Sequence, residues 1–388
     1  MFGAKKYLGP DVKTILAQKA LDAGAQLWQK RLEEVSGSDV ERALAEPEAA
    51  YSFDKLLVLV SPAAEYYLEK MAQLAQQLTM QRFGRTIRLY APLYLSNYCI
   101  NSCRYCGFNK ENKSERLRLT IEQAVSEADI IASGGFRDIL LVSSEDKKFV
   151  SIDYLTELAR KLREKFSSIS IEVYQMSTAE YDKLFEAGIE GVTLYQETYN
   201  RKAYTHYHPS GPKSDYDNRL NGPDSIAAAG MREIGLGVLL GLTDWRTETL
   251  ALGEHAHYLI KRYWQSRVSF SFPRLRPAYK VGGSQFKRLL SDKNLVQMIM
   301  ALRLCFADAG LVLSTRESAE LRDRLIKVGI TKVSAGSKTC PGGYSRLTNA
   351  IEQFEIDDTR SPAQVADMIR AQGFEPVWKD WDSAFVKG

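Results

Sequence analysis

The sequence lacks several features that mark whole classes of protein. No apolar run approaches the ~18 residues of a membrane span, and none of signal length follows the basic N-terminus. No long run of Lys or Arg is present, and a net charge of +4 is small for 388 residues, so little suggests nucleic-acid binding. With 45% hydrophobic residues, we expect a folded, cytoplasmic protein.

Cysteine is scarce, and its distribution is informative. The chain has five cysteines, an odd number, and three of them lie within eight residues. Such clustering argues against a disulfide scaffold and favours a metal site in a reducing compartment.

The pattern of apolar residues changes near residue 86. Before it, the runs 12–32 and 62–83 predict helices, the second with Ser61 as its N-cap and ended by Gly84. After it, short β-rich runs alternate with helical segments, and capping boxes begin helices at Thr120 and Ser177. The predicted strands are 87–95, 138–142, 170–174, 191–196, 235–241, 268–272, 311–314 and 330–334.

Eight strands that alternate with helices predict an α/β protein with a TIM-type (β/α)8 barrel. We expect a helical N-terminal extension over 1–84, the barrel over 85–340 and a short C-terminal extension over 341–388. The extension should contain a helix that begins after Ser361 and ends at Gly373. Trp378 and Trp381 indicate that the end of the chain docks on a surface.

The three clustered cysteines, Cys99, Cys103 and Cys106, have the spacing C-x3-C-x2-C. They follow the first predicted strand, at the end of the barrel where such enzymes carry their chemistry. Full ligation of a [4Fe–4S] cluster takes four cysteines, so three leave one iron open. S-adenosylmethionine (SAM) can chelate that iron and be cleaved to a 5′-deoxyadenosyl radical, with Tyr105 beside its adenine. The motif therefore predicts a radical SAM enzyme.

Two other metal sites remain as alternatives. A structural zinc site would need a fourth ligand from Cys305, Cys340 or a distant histidine. An electron-transfer [4Fe–4S] protein would likewise need a remote fourth cysteine.

Longer motifs resemble those of one family. They are Pro92-Leu-Tyr-Leu-Ser-Asn-Tyr-Cys, Tyr195-Gln-Glu-Thr-Tyr, Ser269-Phe-Ser-Phe-Pro-Arg-Leu-Arg, Ser314-Thr-Arg-Glu-Ser, Ser334-Ala-Gly-Ser and Pro376-Val-Trp-Lys-Asp-Trp-Asp. From about residue 40 onwards the chain is similar to the ThiH family, the tyrosine lyases (2-iminoacetate synthases) of thiamine biosynthesis. The resemblance implies cleavage of the Cα–Cβ bond of L-tyrosine to p-cresol and 2-iminoacetate (dehydroglycine). It also implies thiazole synthase as a protein partner and a reduced flavodoxin- or ferredoxin-type electron donor.

The resemblance also implies roles for single residues at the SAM site. Glu197 matches an acidic residue that contacts SAM, and Arg219 resembles its basic partner at the SAM carboxylate. Glu145 stands at the end of a Gly-Gly-Glu-like motif whose backbone holds the SAM amino group. Here Ser144 replaces the glycine before it, which would matter if that position required a positive φ.

Other residues are implied at the substrate site. Arg316 resembles the residue that holds the substrate carboxylate in a related tryptophan lyase, and Tyr94 resembles a tyrosine there that contacts the substrate. Ser334 or Ser337 could donate a hydrogen bond to the substrate. Each of these residues also has a purely structural interpretation. The alternatives are an ion pair at the rim of the barrel, a solvent-exposed position on a helix, or packing in the core.

Two related lyases remain as alternatives in function. The tyrosine lyase that matures [FeFe]-hydrogenase adds a C-terminal domain with a second cysteine cluster, whereas this tail has only Cys340. A tryptophan lyase has the same type of cluster and the same arginine at the substrate carboxylate. Assays with a panel of substrates would distinguish it from a tyrosine lyase.

Overall fold

The fold is built on a nine-stranded sheet in which every pairing is parallel. The computed structural model describes residues 9–46, 50–283, 286–345 and 350–379. Its strands are β1 (Thr86–Ser96), β2 (Asp138–Ser143), β3 (Ser168–Glu172), β4 (Gly191–Thr193), β5 (Glu233–Gly237), β6 (Arg267–Ser271), β7 (Gly310–Leu313), β8 (Lys332–Ser334) and β9 (Glu375–Val377).

The first eight strands close into a barrel. Each strand pairs with the next, and β1 pairs with both β2 and β8. β1 is buried along almost its whole length, as expected for a parallel strand covered on both faces. The predicted (β/α)8 barrel is thereby confirmed, and all eight predicted strands are present. The predicted strand 191–196 is shorter because regular pairing stops at Thr193, although Leu194 and Gln196 still donate to backbone carbonyls of β5.

Helices alternate with these strands and also precede them. They are α1 (Val12–Gln18), α2 (Gln26–Glu33), α3 (Gly37–Ala45), α4 (Phe53–Leu59), α5 (Leu68–Phe83), α6 (Ile121–Ser133), α7 (Ile152–Leu162), α8 (Thr178–Glu186), α9 (Arg201–Tyr207), α10 (Tyr216–Ala228), α11 (Trp245–Arg262), α12 (Asp292–Cys305), α13 (Ala319–Ile326) and α14 (Pro362–Ala371). Capping boxes are present at Thr120 and Ser177, as predicted, and the predicted helix after Ser361 begins with one as well.

The predicted N-terminal helices are interrupted. The run 12–32 forms α1 and α2, because Ala20 and Gly24 between them both have positive φ. Pro62 precedes a short 3-10 helix, Ala63–Tyr66, and α5 begins only at Leu68. These helices share one hydrophobic cluster with the barrel. Gly253 permits close packing there, since a Cβ on it would lie 2.4 Å from Cδ2 of Leu56.

The C-terminal segment docks on the amino end of the barrel. β9 was not predicted from the sequence, and it pairs with the first residues of β1. The ring of Trp378 packs edge-on against Phe136 at 5.1 Å, and its carbonyl accepts a hydrogen bond from Arg137. The predicted docking is confirmed at Trp378, whereas Trp381 lies outside the described residues.

None of the helices in the described ranges has the length and apolar character needed to cross a membrane.

Candidate active site at the carboxyl end of the barrel

The loop after β1 brings three thiols to one cavity. Cys99, Cys103 and Cys106 all line a cleft with about 980 Å³ of empty space. Arg116 organises this loop by donating hydrogen bonds to four backbone carbonyls, those of Asn97, Phe108, Asn109 and Asn112. The sequence analysis did not single out Arg116.

The donor set of this cavity fits a [4Fe–4S] cluster with one open iron. Neither Cys305, which is buried in α12, nor Cys340 lines the cavity. Burial raises the pKa of Cys103 to about 12, and a bound metal centre would offset this because it stabilises the thiolate. In the described part of the chain, no three His, Cys, Asp or Glu side chains are grouped to hold a single metal ion. The arrangement therefore differs from the four-ligand set of a structural zinc site.

A cluster of charged side chains lines the same cavity. Nζ of Lys213 lies 2.5 Å from Oε1 of Glu197, and a guanidinium nitrogen of Arg219 lies 4.0 Å from the same oxygen. Nε of Arg219 also donates to the carbonyl of Tyr195 at 2.7 Å. Burial alone would raise the pKa of Glu197, but Lys213 and Arg219 outweigh it and hold that pKa below its ordinary value. The implied partnership of Glu197 and Arg219 is present, with Lys213 as the closer cation.

Glu197 has a strained backbone. Its φ is +68°, and the N–H of Thr198 donates to the carbonyl of Gln196 at 2.9 Å, which closes a γ-turn around it. Positive φ in a residue other than glycine costs about 1–3 kcal/mol and is concentrated at functional sites. The turn directs the Glu197 carboxylate into the cavity.

Tyr105, the residue expected beside the SAM adenine, is held by His208. Nδ1 of His208 lies 2.8 Å from the carbonyl of Tyr204, so this nitrogen carries the proton. Nε2 therefore accepts from the Tyr105 hydroxyl, at 2.8 Å. Burial lowers the pKa of His208 to about 3, with a further contribution from Lys213, so the ring stays neutral. His208 thus has a structural role, because it holds the hydroxyl of Tyr105.

The segment around Glu145 does not require the missing glycine. Ser144 is not among the described residues with positive φ. Its hydroxyl donates to backbone carbonyls of the cysteine loop, and Glu145 accepts from Nδ2 of Asn101 at 3.3 Å. Ser144 and Glu145 both line the cavity.

A second cavity, of about 570 Å³, continues into the barrel and contains the four residues implied at the substrate site: Tyr94, Arg316, Ser334 and Ser337. Cζ of Arg316 lies 3.3 Å from the ring centroid of Phe354, and no carboxylate within the described ranges forms an ion pair with this guanidinium. The two cavities meet at shared residues, which include Glu172, Tyr195 and Arg316.

The two serines of this second cavity differ. Oγ of Ser334 accepts from the Thr315 N–H at 3.1 Å, whereas Oγ of Ser337 is buried without a hydrogen-bond partner in the described structure. The hydroxyl of Tyr94 donates to Gln353 at 2.7 Å. Ser337 is therefore the serine that is available to a ligand.

Comparison with known proteins identifies the family. Residues 93–252 match the model of the radical SAM superfamily, and residues 271–375 match that of the biotin and thiamin synthesis associated domain. The 2-iminoacetate synthase of Escherichia coli (strain K12) is 46% identical over 354 residues, which are 91% of this chain and 93% of the relative. This chain belongs to the 2-iminoacetate synthase family. Radical SAM enzymes bind a [4Fe–4S] cluster and SAM, and these are accordingly its cofactors.

Solved structures of other proteins have the same barrel fold as this member of the 2-iminoacetate synthase family. HydG, a maturase of the [FeFe]-hydrogenase, is 31% identical with a TM-score of 0.87, covering 94% of this chain and 80% of HydG. Methylornithine synthase (PylB) has a TM-score of 0.69 at 20% identity, covering 87% of this chain and 97% of PylB, and it supports the fold alone.

Some residues of this family member's site escaped the sequence analysis. Glu172 and Tyr195 line both cavities, and Lys213 pairs with Glu197. Glu172 carried a signal, since it is an acidic residue in a predicted strand. Lys213 lies in the segment between α9 and α10, which follows β4, and could have been considered there.

Two arginines that follow β6 are paired with carboxylates. Arg274 pairs with Glu317 and Asp292, and Arg276 pairs with Asp357. Both ion pairs of Arg274 are formed within the protein, so its charge is compensated without a ligand. Arg276 does line the first cavity.

Proposed function

We propose that the chain cleaves the Cα–Cβ bond of L-tyrosine to give p-cresol and 2-iminoacetate, which supplies the thiazole moiety of thiamine. The observation that carries this proposal is the position of Arg316. Its guanidinium borders both the cavity with the three thiols and the deeper cavity, and it lacks an ion-pair partner in the described structure. An unpaired guanidinium in a partly buried cavity is suited to a substrate carboxylate.

The first cavity is assigned to the cofactors. Cys99, Cys103 and Cys106 would hold the cluster, which would supply the electron for cleavage of SAM to methionine and a hydrogen-abstracting 5′-deoxyadenosyl radical. The carboxylate of Glu197 suits the ammonium of SAM's zwitterionic end, and the cations of Lys213 and Arg219 suit its carboxylate. We assign Tyr105 to the adenine, and the backbone at Ser144 and Glu145 to the amino group, because all three residues line this cavity.

The second cavity is assigned to tyrosine. Arg316 binds the carboxylate and thereby fixes the amine toward the first cavity, where the hydrogen is removed. Ser337 donates or accepts a hydrogen bond, and Tyr94 forms part of the wall. By resemblance to the family, the hydrogen comes from the amino group rather than from the phenol. Ser334 contributes less directly, because its hydroxyl is already bonded to the backbone.

Two protein partners belong to the same proposal. A reduced flavodoxin- or ferredoxin-type protein supplies the electrons, and thiazole synthase receives 2-iminoacetate. Both rest on the family resemblance rather than on a described surface.

The test is an anaerobic incubation of the reconstituted enzyme with SAM, dithionite and tyrosine. We expect p-cresol, and we expect Arg316→Ala to raise KM for tyrosine by about 10- to 100-fold, the value of a charge-assisted pair. Arg324→Ala, an exposed arginine on α13, is the control and should leave KM unchanged. If p-cresol is absent while SAM is cleaved, or if tryptophan is consumed instead, the proposal is wrong.

A further inference from the structure

Glu172 occupies a position that the proposed function does not use. It is the last residue of β3, and its Cα is in register with that of Val142 on β2. Its side chain lines both cavities and so stands where they meet. Within the described residues, no hydrogen bond or ion pair engages its carboxylate.

Several charged and titratable groups face Glu172 from the surrounding strands. They are Tyr90 and Tyr94 of β1, Tyr195 and Glu197 after β4, Lys213 just before α10, Arg219 in α10, and Arg316 after β7. Burial raises the pKa of Glu172 to about 7, with Arg316 as the strongest opposing influence. The carboxylate is thus desolvated, close to a guanidinium and free to bind a further cation.

An amino acid carries its carboxylate and its ammonium on the same carbon. Groups that bind them must therefore face one shared space, and Arg316 and Glu172 both line the two cavities at their junction. We propose that Glu172 binds the α-ammonium group of the amino-acid substrate and removes one proton from it. This role rests on the tyrosine lyase function proposed above.

The step transfers a single proton and no electrons. An N–H bond of the ammonium breaks, its electron pair stays on nitrogen, and the proton forms an O–H bond on the Glu172 carboxylate. The neutral amine that results still has two N–H bonds, one of which can then lose its hydrogen atom. A carboxyl group with a pKa near 7 accepts an ammonium proton more readily than an ordinary glutamate with a pKa of about 4.3.

The proposal predicts a pH dependence with a definite sign. Glu172 must be ionised to act, so binding of tyrosine weakens as the pH falls below about 7, by about tenfold per unit. The probe 3-(4-hydroxyphenyl)propionate has the phenol and the carboxylate but no ammonium. Its binding should stay constant between about pH 5.5 and pH 8, where its own carboxyl group is ionised.

The experiment measures binding of L-tyrosine and of this probe to the reconstituted wild-type enzyme and to Glu172→Gln. We expect the variant to bind tyrosine about 10- to 100-fold more weakly, to bind the probe as the wild type does, and to lose the pH dependence. Cluster content and SAM cleavage, measured on the same samples, report whether the variant is folded. If Glu172→Gln does not fold, the pH profiles of tyrosine binding and of probe binding to the wild type still test the proposal.

Glu233→Gln is the matched control. Glu233 is also a glutamate in the barrel interior, but Lys332 and Arg88 outweigh its burial and hold its pKa at about 2. Glu233→Gln should show the same pH dependence of tyrosine binding as the wild type, whatever its rate of p-cresol formation.

Two results would overturn the inference: equal loss of tyrosine and of the probe in Glu172→Gln, or a flat pH profile for tyrosine in the wild type. Failure of the wild type to form p-cresol contradicts the proposed function instead, so the two failures are distinguishable.

Discussion

The two ends of the barrel use the same residue types in opposite ways. At the amino end, Asp138 accepts from Arg88 at 2.7 Å and pairs with Lys332 at 2.9 Å, and Arg88 lies 3.7 Å from Glu233. At the carboxyl end, Glu172 has no such partner in the described structure, and the hydroxyl of Ser337 is buried without one. Glu233 begins β5 and its pKa is lowered to about 2, whereas Glu172 ends β3 and its pKa is raised to about 7.

This difference separates stability from function along the barrel axis. Charges that are paired with one another at the amino end are satisfied within the fold and need no ligand. Unpaired polar groups cost folding free energy and are retained where a ligand satisfies them. The strain at Glu197 belongs to the same carboxyl end. The difference in pairing between the two ends therefore indicates a site at the carboxyl end, independently of any related protein.

The largest expected effect comes from removing a thiol at the carboxyl end. Cys103→Ala should abolish cluster binding and p-cresol formation, because the cavity offers only three cysteines. Iron content and product formation measure this. Cys305→Ala, in the buried face of α12, is the control and should retain the cluster. Equal cluster content in both variants would contradict the assignment of the ligands.

A large effect on stability is expected at the amino end. Asp138→Asn leaves the positive charges of Arg88 and Lys332 with less compensation in a buried setting, which should lower the free energy of unfolding by about 3 kcal/mol. Anaerobic denaturant unfolding measures it, and KM for tyrosine should not change. Asp129→Asn, which breaks only the exposed pair with Lys165, should cost less than about 1 kcal/mol. A rise in KM for Asp138→Asn would show that the two ends are coupled.

The smallest effects separate the two serines. Ser334→Ala removes the acceptor of a buried backbone N–H and should lower the free energy of unfolding by about 1–3 kcal/mol. Ser337→Ala removes a hydroxyl without a partner, so stability should be unchanged while KM for tyrosine rises by about fivefold. If instead Ser334→Ala raises KM for tyrosine and Ser337→Ala lowers the free energy of unfolding, Ser334 is the serine that contacts the substrate.

Much of the fold could be predicted because its signals are local. The eight strands, the capping boxes and the cysteine spacing each occupy a short stretch of chain, and the predicted strands and capping boxes are present, with strand bounds that differ by a few residues. The errors have local causes as well. The first predicted helix breaks at Ala20 and Gly24, and β9 is only three residues long, too short for a periodic pattern to reveal.

The site was only partly predictable. Tyr94 and Ser337 line the deeper cavity, Glu197 and Arg219 line the cavity with the three thiols, and Arg316 lines both. The sequence could not rank Ser337 above Ser334, because the distinction depends on a bond from Thr315, which is 19 residues away from Ser334.

By itself, the sequence determined that this chain forms a (β/α)8 barrel and carries three closely spaced cysteines after its first strand. These properties follow from the order of residues along short segments. Only the tertiary structure decided that Lys213 is the nearest cation to Glu197 and that Glu172 stands between two cavities without a partner. Closure of the barrel brings distant strands to one space, and burial there determines which charges are paired and which remain free.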